Sequence, residues 1–225
     1  MNLYLSHIRL SRSPSARALA PLFRPGDVGL RRSAQHSLLW SVFADDQDRK
    51  RDFLWREERD GSFLVLSARQ PRESEIFLPH QVKPFAPVLA AGDQLEFLLR
   101  VNATRTRRDG GRVDVVMDEI HRQNVRPGSR AERRMELARE AGAEWLSRQG
   151  STAGFEPLDV QLQDYCVETL PARDGDRGRP HFGILDLAGR LEVTDPDRLV
   201  ERIARGFGRA KAFGCGLMLI RRPRN

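Results

Sequence analysis

Five histidines are the side chains of this chain that titrate nearest neutral pH, so they are the first candidates for moving a proton. His7, His80, His121 and His181 stand in strand-like or loop-like runs with no partner at metal-ligand spacing, and read as structural or solvated. His36 differs. It falls at the margin of a helical apolar stripe formed by Ala34, Leu38, Leu39, Val42 and Phe43, one turn before Trp40. A ring there can look into a cleft while its helix stays anchored, although the pattern equally allows a boundary histidine without a task.

A second cluster is "GFGRAKAFGCG", with Gly206, Gly208, Lys211, Gly214 and Gly216 between a helix-like run and an apolar strand-like one. Glycine costs roughly 0.5–1 kcal/mol against alanine inside an element, so such a cluster calls for a tight turn or for a backbone that another group must approach closely. A third feature is basic. Arg105, Arg107, Arg108 and Arg112 surround a turn at Asp109-Gly110-Gly111, and Arg173, Arg177 and Arg179 lie in the polar run "PARDGDRGRP". The guanidinium fork suits phosphate, and solvated surface charge is the competing reading.

Other chemistries find no residues. There is no H-E-x-x-H, no G-x-S-x-G and no Walker lysine, and the glycine cluster follows a helix where a dinucleotide fingerprint would follow a strand. Cys166 and Cys215 have neither the number nor the spacing for a metal site or a disulfide framework. No cofactor and no metal are therefore expected. The chain carries 38 Lys and Arg against 31 Asp and Glu, a formal charge of +7 that favours a polyanionic partner. No run reaches the ~18 apolar residues of a membrane span, which points to a cytoplasmic protein without a membrane partner.

These residues need elements to hold them. "NLYLSHIRL" reads as a strand, 11–29 as a connection without sustained period, and 32–44 as the helix of His36. "RDFLWREER" and "SFLVLSARQ" read as strands joined at Asp60-Gly61, and "QLEFLLRVN" as another. The break "NVRPGSR" suggests a domain boundary near Pro127, giving an N-terminal domain 1–127 and a C-terminal domain 128–225. In the second, a charged helix over 130–148 precedes the runs "LDVQLQDYCVETL" and "HFGILDLAGRLEV". "TDPDRLVERIARG" reads as a helix capped by Asp195, opened by Pro196 and stopped at Gly206. Both halves fit an α+β fold of two tandem ferredoxin-like, RRM-like β-α-β-β-α-β domains.

The spacing G-x-G-x-x-K-x-x-G-x-G before a final apolar strand resembles the C-terminal glycine-rich loop of the CasE endoribonucleases, CRISPR RNA-processing members of the RAMP superfamily. "QHSLLWSVFADD", "RDFLWREE", "LEFLLRVNATR" and "GILDLAGRLEVTDPDRL" resemble further segments of that family in the same order, over nearly the whole chain. The resemblance implies a Cascade subunit that cleaves the repeat hairpin of precursor CRISPR RNA without a metal, by attack of a ribose 2′-hydroxyl, leaving a 2′,3′-cyclic phosphate. It implies His36 as the proton-transfer residue. The glycine loop and Lys211 would approach RNA phosphate, and the basic hairpin would grip the stem. Where well-known members carry a tyrosine three residues before the histidine, this chain has Ser33, which cannot stack; Tyr4 and Tyr165 are the remaining tyrosines that could compensate. A non-cleaving RNA-binding RAMP subunit of the same assembly is the alternative, and His36 argues against it.

Overall fold

The computed structural model describes residues 2–23, 25–44, 51–108, 110–124, 130–170 and 181–223. The chain forms two compact units. The first is Met1–Pro87 with Thr169–His181 and Lys211–Gly214; the second is Val88–Glu168 with Phe182–Ala210 and Cys215–Asn225.

In the first unit the order is β1 (Tyr4–Ile8), α1 (Pro14–Phe23), α2 (Val28–Trp40), β2 (Phe53–Glu57), β3 (Phe63–Ser67) and β4 (Gln81–Pro84). The sheet runs β2-β3-β1-β4, with β1 antiparallel to both β3 and β4. This is the strand order of a ferredoxin-like unit, except that residues 68–80 cross to the last strand without a helix. The β2–β3 hairpin turns at Asp60-Gly61 as expected, where Asp60 Oδ1 accepts from the Ser62 amide at 3.0 Å and hydroxyl at 2.6 Å. α2 begins where Asp27 accepts a hydrogen bond from the Leu30 amide at 3.0 Å. Its apolar stripe, Leu38 and Leu39 continuing into Val42 and Phe43, is buried against Phe53, Trp55, Phe63 and Val65.

α1 replaces part of the connection expected over 11–29. Its signal lies in Ser13-Pro14: the Ser13 hydroxyl accepts from the Ala16 amide at 3.2 Å, and proline occupies the first helical turn, where its missing N–H costs nothing.

The second unit contains β5 (Gln94–Val101), β6 (Thr104–Thr106), β7 (Arg112–Asp114), α3 (Val115–Arg122) and α4 (Arg130–Ala153). β8 (Phe155–Thr169), β9 (His181–Val193), α5 (Pro196–Arg205) and β10 (Met218–Arg221) follow. Its sheet order, β10-β5-β9-β8, completes the β-α-β-β-α-β plan, with β6 and β7 as a separate two-stranded arm.

The division near Pro127 does not hold. β5 pairs antiparallel with β9 from Gln94↔Glu192 to Val101↔Leu185 and with β10 from Met218↔Leu99 to Arg221↔Glu96, so Val88–Glu168, on both sides of Pro127, folds as one stretch of the second unit. The break "NVRPGSR", whose residues 125–129 lie outside those described, separates α3 from α4, two helices on the same crossover. A Pro/Gly/Ser run marks a helix interruption as readily as a domain boundary. α5 is as expected: Asp195 accepts from the Arg198 amide at 3.1 Å, and Gly206 ends it at φ 77°.

A buried polar knot joins three elements of this unit. Asp114 caps α3 by accepting from the Val116 and Met117 amides at 2.9 and 3.0 Å, and Tyr165 of β8 donates to the same oxygen at 3.2 Å. Asn102 donates to the Gly183 carbonyl at 2.7 Å. A Cβ on Gly183 would sit 2.2 Å from an Asp114 carboxylate oxygen and 2.8 Å from the Tyr165 hydroxyl. Gly183→Ala should therefore cost about 1–3 kcal/mol, as overpacking of a closed site does, and lower the thermal midpoint by several degrees. An unchanged melt would mean that β9 shifts to make room.

Candidate active site

His36 lies on α2 with its ring between two aromatic ones. The Trp40 ring stands edge-on with centroids 6.3 Å apart, and the Phe53 ring of β2 lies at 6.0 Å. The ring is half-buried, and Nε2 is buried with no hydrogen-bond partner among the described residues. A buried imidazole nitrogen without a partner is unusual for a histidine that only fills space. Burial first, and then the positive charge of Arg51, push its pKa down from 6.5 to about 4. The imidazole is thus neutral at pH 7 and able to accept a proton.

The glycine loop divides between the units. Lys211–Phe213 forms one turn of 3-10 helix that packs on α2 and β2 in the first unit. Gly214 follows with φ 78°, and a Cβ there would meet the Trp55 ring at 3.2 Å and an Arg32 guanidinium nitrogen at 3.4 Å. Arg32 is itself only 8% exposed and stands one helical turn before His36. The first unit therefore brings Lys211 and Gly214 to the helix of the candidate base.

Gly206, Gly208 and Gly216 belong to the second unit. Gly206 closes α5, and Gly216 donates to the Arg100 carbonyl at 2.7 Å while accepting from the Phe207 amide at 2.9 Å. A Cβ on Gly208, whose φ is 61°, would lie 2.5 Å from the Asn102 carbonyl oxygen. The close approach that the spacing called for is here made by the end of β5, the chain's own backbone.

Arg105 and Arg107 of the β6–β7 arm both pair with Asp118 of α3; Arg107 Nε reaches it at 3.0 Å. Partial burial favours the neutral carboxyl of Asp118, yet hydrogen bonds from Arg107 and Arg105 hold it below its ordinary range. Arg108 and Arg112 are exposed. Arg173, Arg177 and Arg179 lie outside the described residues.

Ser33 is exposed on α2, its carbonyl accepting from the Ser37 hydroxyl at 3.2 Å. Tyr165 is committed to Asp114, which removes it as a substitute for the absent tyrosine. Sequence reasoning missed Arg51, although its place two residues before Phe53 in an alternating strand was a usable signal. Among the described residues no three His, Cys, Asp or Glu side chains form a metal-ligand group, and no helix is long and apolar enough to cross a membrane.

Two four-stranded antiparallel sheets in one chain, both in ferredoxin-like strand order and the second with the full β-α-β-β-α-β plan, with a glycine-rich segment between the last helix and last strand, define a double ferredoxin-like protein. A family model described as "CRISPR associated protein" matches residues 3–222, and the chain belongs to that family. It is 31% identical over 157 residues to the CRISPR-associated endoribonuclease Cse3 of Thermus thermophilus, an alignment spanning 65% of this chain and 63% of that protein. It is 28% identical to the CRISPR system Cascade subunit CasE of Escherichia coli K12, over 82% of this chain and 89% of that one. The fold matches a CRISPR endoribonuclease Cse3 bound to 19 nt RNA with a TM-score of 0.72 at 23% identity, covering 99% of this chain and 100% of that chain. For Cas6e of E. coli K-12 the values are 0.61 and 21%, with 98% and 100% covered.

Two outcomes follow from this geometry. The folded pKa of His36 lies below the unfolded one, so between about 6.5 and about 4 the unfolded chain binds more protons. Its contribution to stability is complete above 6.5 and is lost as pH falls through that window. His36→Asn should flatten the dependence of thermal midpoint on pH there, and equal slopes in both proteins would place the ring in solvent. Gly208→Val should lower the thermal midpoint, since a β-branched residue at φ 61° would also strike the Asn102 carbonyl. A variant melting like the wild type would show that the turn can rebuild.

Proposed function

We propose that this chain is an endoribonuclease of a Cascade-type assembly in the cytoplasm, cutting precursor CRISPR RNA at the base of its repeat hairpin. Family membership supports the class, and the names of its relatives, an endoribonuclease and a Cascade subunit, support the reaction and the assembly. The observation that carries the reading is His36: a neutral, half-buried imidazole with an unpartnered nitrogen, on the helix against which Lys211–Gly214 packs.

His36 takes the proton of the ribose 2′-hydroxyl as that oxygen attacks the adjacent phosphorus. The bond from phosphorus to the 5′-oxygen breaks, and the 5′-oxygen takes a proton from solvent, to which the His36 imidazolium releases the one it accepted. The products are a 2′,3′-cyclic phosphate and a 5′-hydroxyl, and no water is consumed. RNA phosphate beside the ring favours imidazolium and so raises the basicity that burial lowers. A positioned base supplies ~10²–10⁴ in rate. In-line geometry and charge neutralisation supply the rest.

Lys211 meets the RNA backbone in this reading, the loop glycines Gly206, Gly208, Gly214 and Gly216 shape the turn that presents it, and Arg108 and Arg112 meet stem phosphates directly. Arg105 and Arg107 must share or exchange Asp118 to do the same.

The test is cleavage of the protein's own genomic repeat RNA in EDTA. Wild-type protein should cut undiminished, and His36→Ala should bind the hairpin with nearly wild-type affinity while cutting at well under about a tenth of the rate. A strict requirement for added metal, or an active His36→Ala, refutes the mechanism. The pH dependence of kcat/KM adds a signature. Because the neutral ring is the active form, the rate should hold as pH falls from 7 to 5 and drop only towards about 4. A loss centred at 6.5 would describe an unperturbed histidine.

A further inference from the structure

Arg51 stands at the entrance to β2, two residues before Phe53. Between them, Asp52 is held by Arg69, which donates from Nε at 2.8 Å and from a terminal nitrogen at 3.2 Å. The β2–β3 ladder extends back to this point, since the Ala68 amide reaches the Asp52 carbonyl at 3.4 Å. Side chains alternate across an extended strand, so Arg51 shares the face of Phe53 and Trp55, the face that α2 covers. On that face the Phe53 ring is 6.0 Å from the His36 ring.

The guanidinium of Arg51 is half-buried, and burial lowers its pKa. Its charge is felt at His36. Arg69, Arg100 and Arg105, also at partly buried positions, have acids to meet in Asp52, Asp186 and Asp118, and Arg202 donates to the Gln149 side-chain oxygen at 2.5 Å and lies over the Phe207 ring. Among the described residues no carboxylate pairs with Arg51. A cation drawn out of water beside a histidine, with no counter-ion among those residues, is arranged for an anion that arrives from outside.

We propose that Arg51 is a second catalytic residue, contacting the scissile phosphate beside His36 and neutralising the charge that builds on its oxygens as the 2′-oxygen attacks. The proposal rests on the endoribonuclease reading above. It also gives the site an electrostatic group where Ser33 offers none, and it uses a fork that can hold two phosphate oxygens at once.

The experiment compares single-turnover cleavage of the repeat hairpin by wild type, Arg51→Gln, Arg51→Lys and His36→Ala, with hairpin Kd measured for each. The titration of His36 is followed by NMR in the free wild type and in Arg51→Gln. Arg51→Gln should cut roughly 10²-fold more slowly, the scale set by loss of one transition-state charge contact, while Kd changes only a few-fold. Arg51→Lys should recover part of the rate, and His36 should titrate at higher pH in Arg51→Gln. Wild-type-like cleavage by Arg51→Gln beside an inactive His36→Ala overturns the role of Arg51 alone. So does a rate loss matched by an equal loss of affinity, or an unmoved His36 titration. Wild-type-like cleavage by His36→Ala overturns the underlying reading of the site and this proposal with it. If Arg51→Gln does not fold, Arg51→Lys decides: a lysine variant that cuts more slowly than wild type with intact binding supports the contact, and one as fast and as tight-binding as wild type overturns it. A lysine variant that loses rate and affinity equally overturns the contact.

Discussion

The packing of α2 on Phe53 and Trp55 is the constraint on which the candidate site depends. Phe53 stacks on Phe43 with centroids 4.7 Å apart and meets Trp40 at 5.4 Å, so one ring of β2 fixes both the end of the helix and the turn that carries His36. Trp55, fully buried two residues along the strand, meets Phe63 edge-on with centroids 5.8 Å apart, and its ring is the surface against which Gly214 lies. Burying aromatic rings supplies the free energy, and the shape of the contact sets the position of the imidazole. The same packing desolvates the ring and thereby sets its protonation state. Position and pKa are two consequences of one contact.

The second unit shows a different use of charge. Asp118 holds Arg105 and Arg107, and Asp186 holds Arg100 through two hydrogen bonds, 2.6 and 2.8 Å, on the sheet. A formal excess of positive charge therefore overstates what the surface presents, because part of the arginine content is committed to internal structure. In the arginine-rich arm Arg107, Arg108 and Arg112 are exposed, and Arg105 and Arg107 fix the arm to α3 through Asp118. Two guanidiniums on one carboxylate also leave that cluster with a net positive charge, so the arm keeps an attraction for polyanions while its geometry is restrained.

What could be read from the sequence was whatever depends on neighbours along the chain. The helix of His36 announced itself by its 3.6-residue apolar period, α5 by Asp195-Pro196 and Gly206, and the β2–β3 turn by Asp60-Gly61. α1 was legible in Ser13-Pro14 but hidden by a weak apolar period. Pairing across the chain was not legible. Nothing local in "QLEFLLRVN" says that it pairs with β9 and β10, and a composition break near Pro127 looked like a boundary for want of that information. The ion pairs of Arg105 and Arg107 were invisible for the same reason, since Asp118 sits on an element whose packing no periodicity states.

The glycine loop brings these limits together. Its spacing called for a tight turn or a close approach, and the structure answers with both, at different residues. Gly208 leaves room for the Asn102 carbonyl just past β5, and Gly214 leaves room for Trp55 and Arg32. Positive φ at both positions is a property of the loop that glycine satisfies without strain. The identity of what approaches is a property of the fold. At Gly214 that neighbour includes a guanidinium on the helix of His36, so a glycine that packs against the core also fixes where Lys211 stands. A loop of this kind needs no separate structural and functional residues, because the close packing that makes it rigid is what holds Lys211 against the helix of the candidate base.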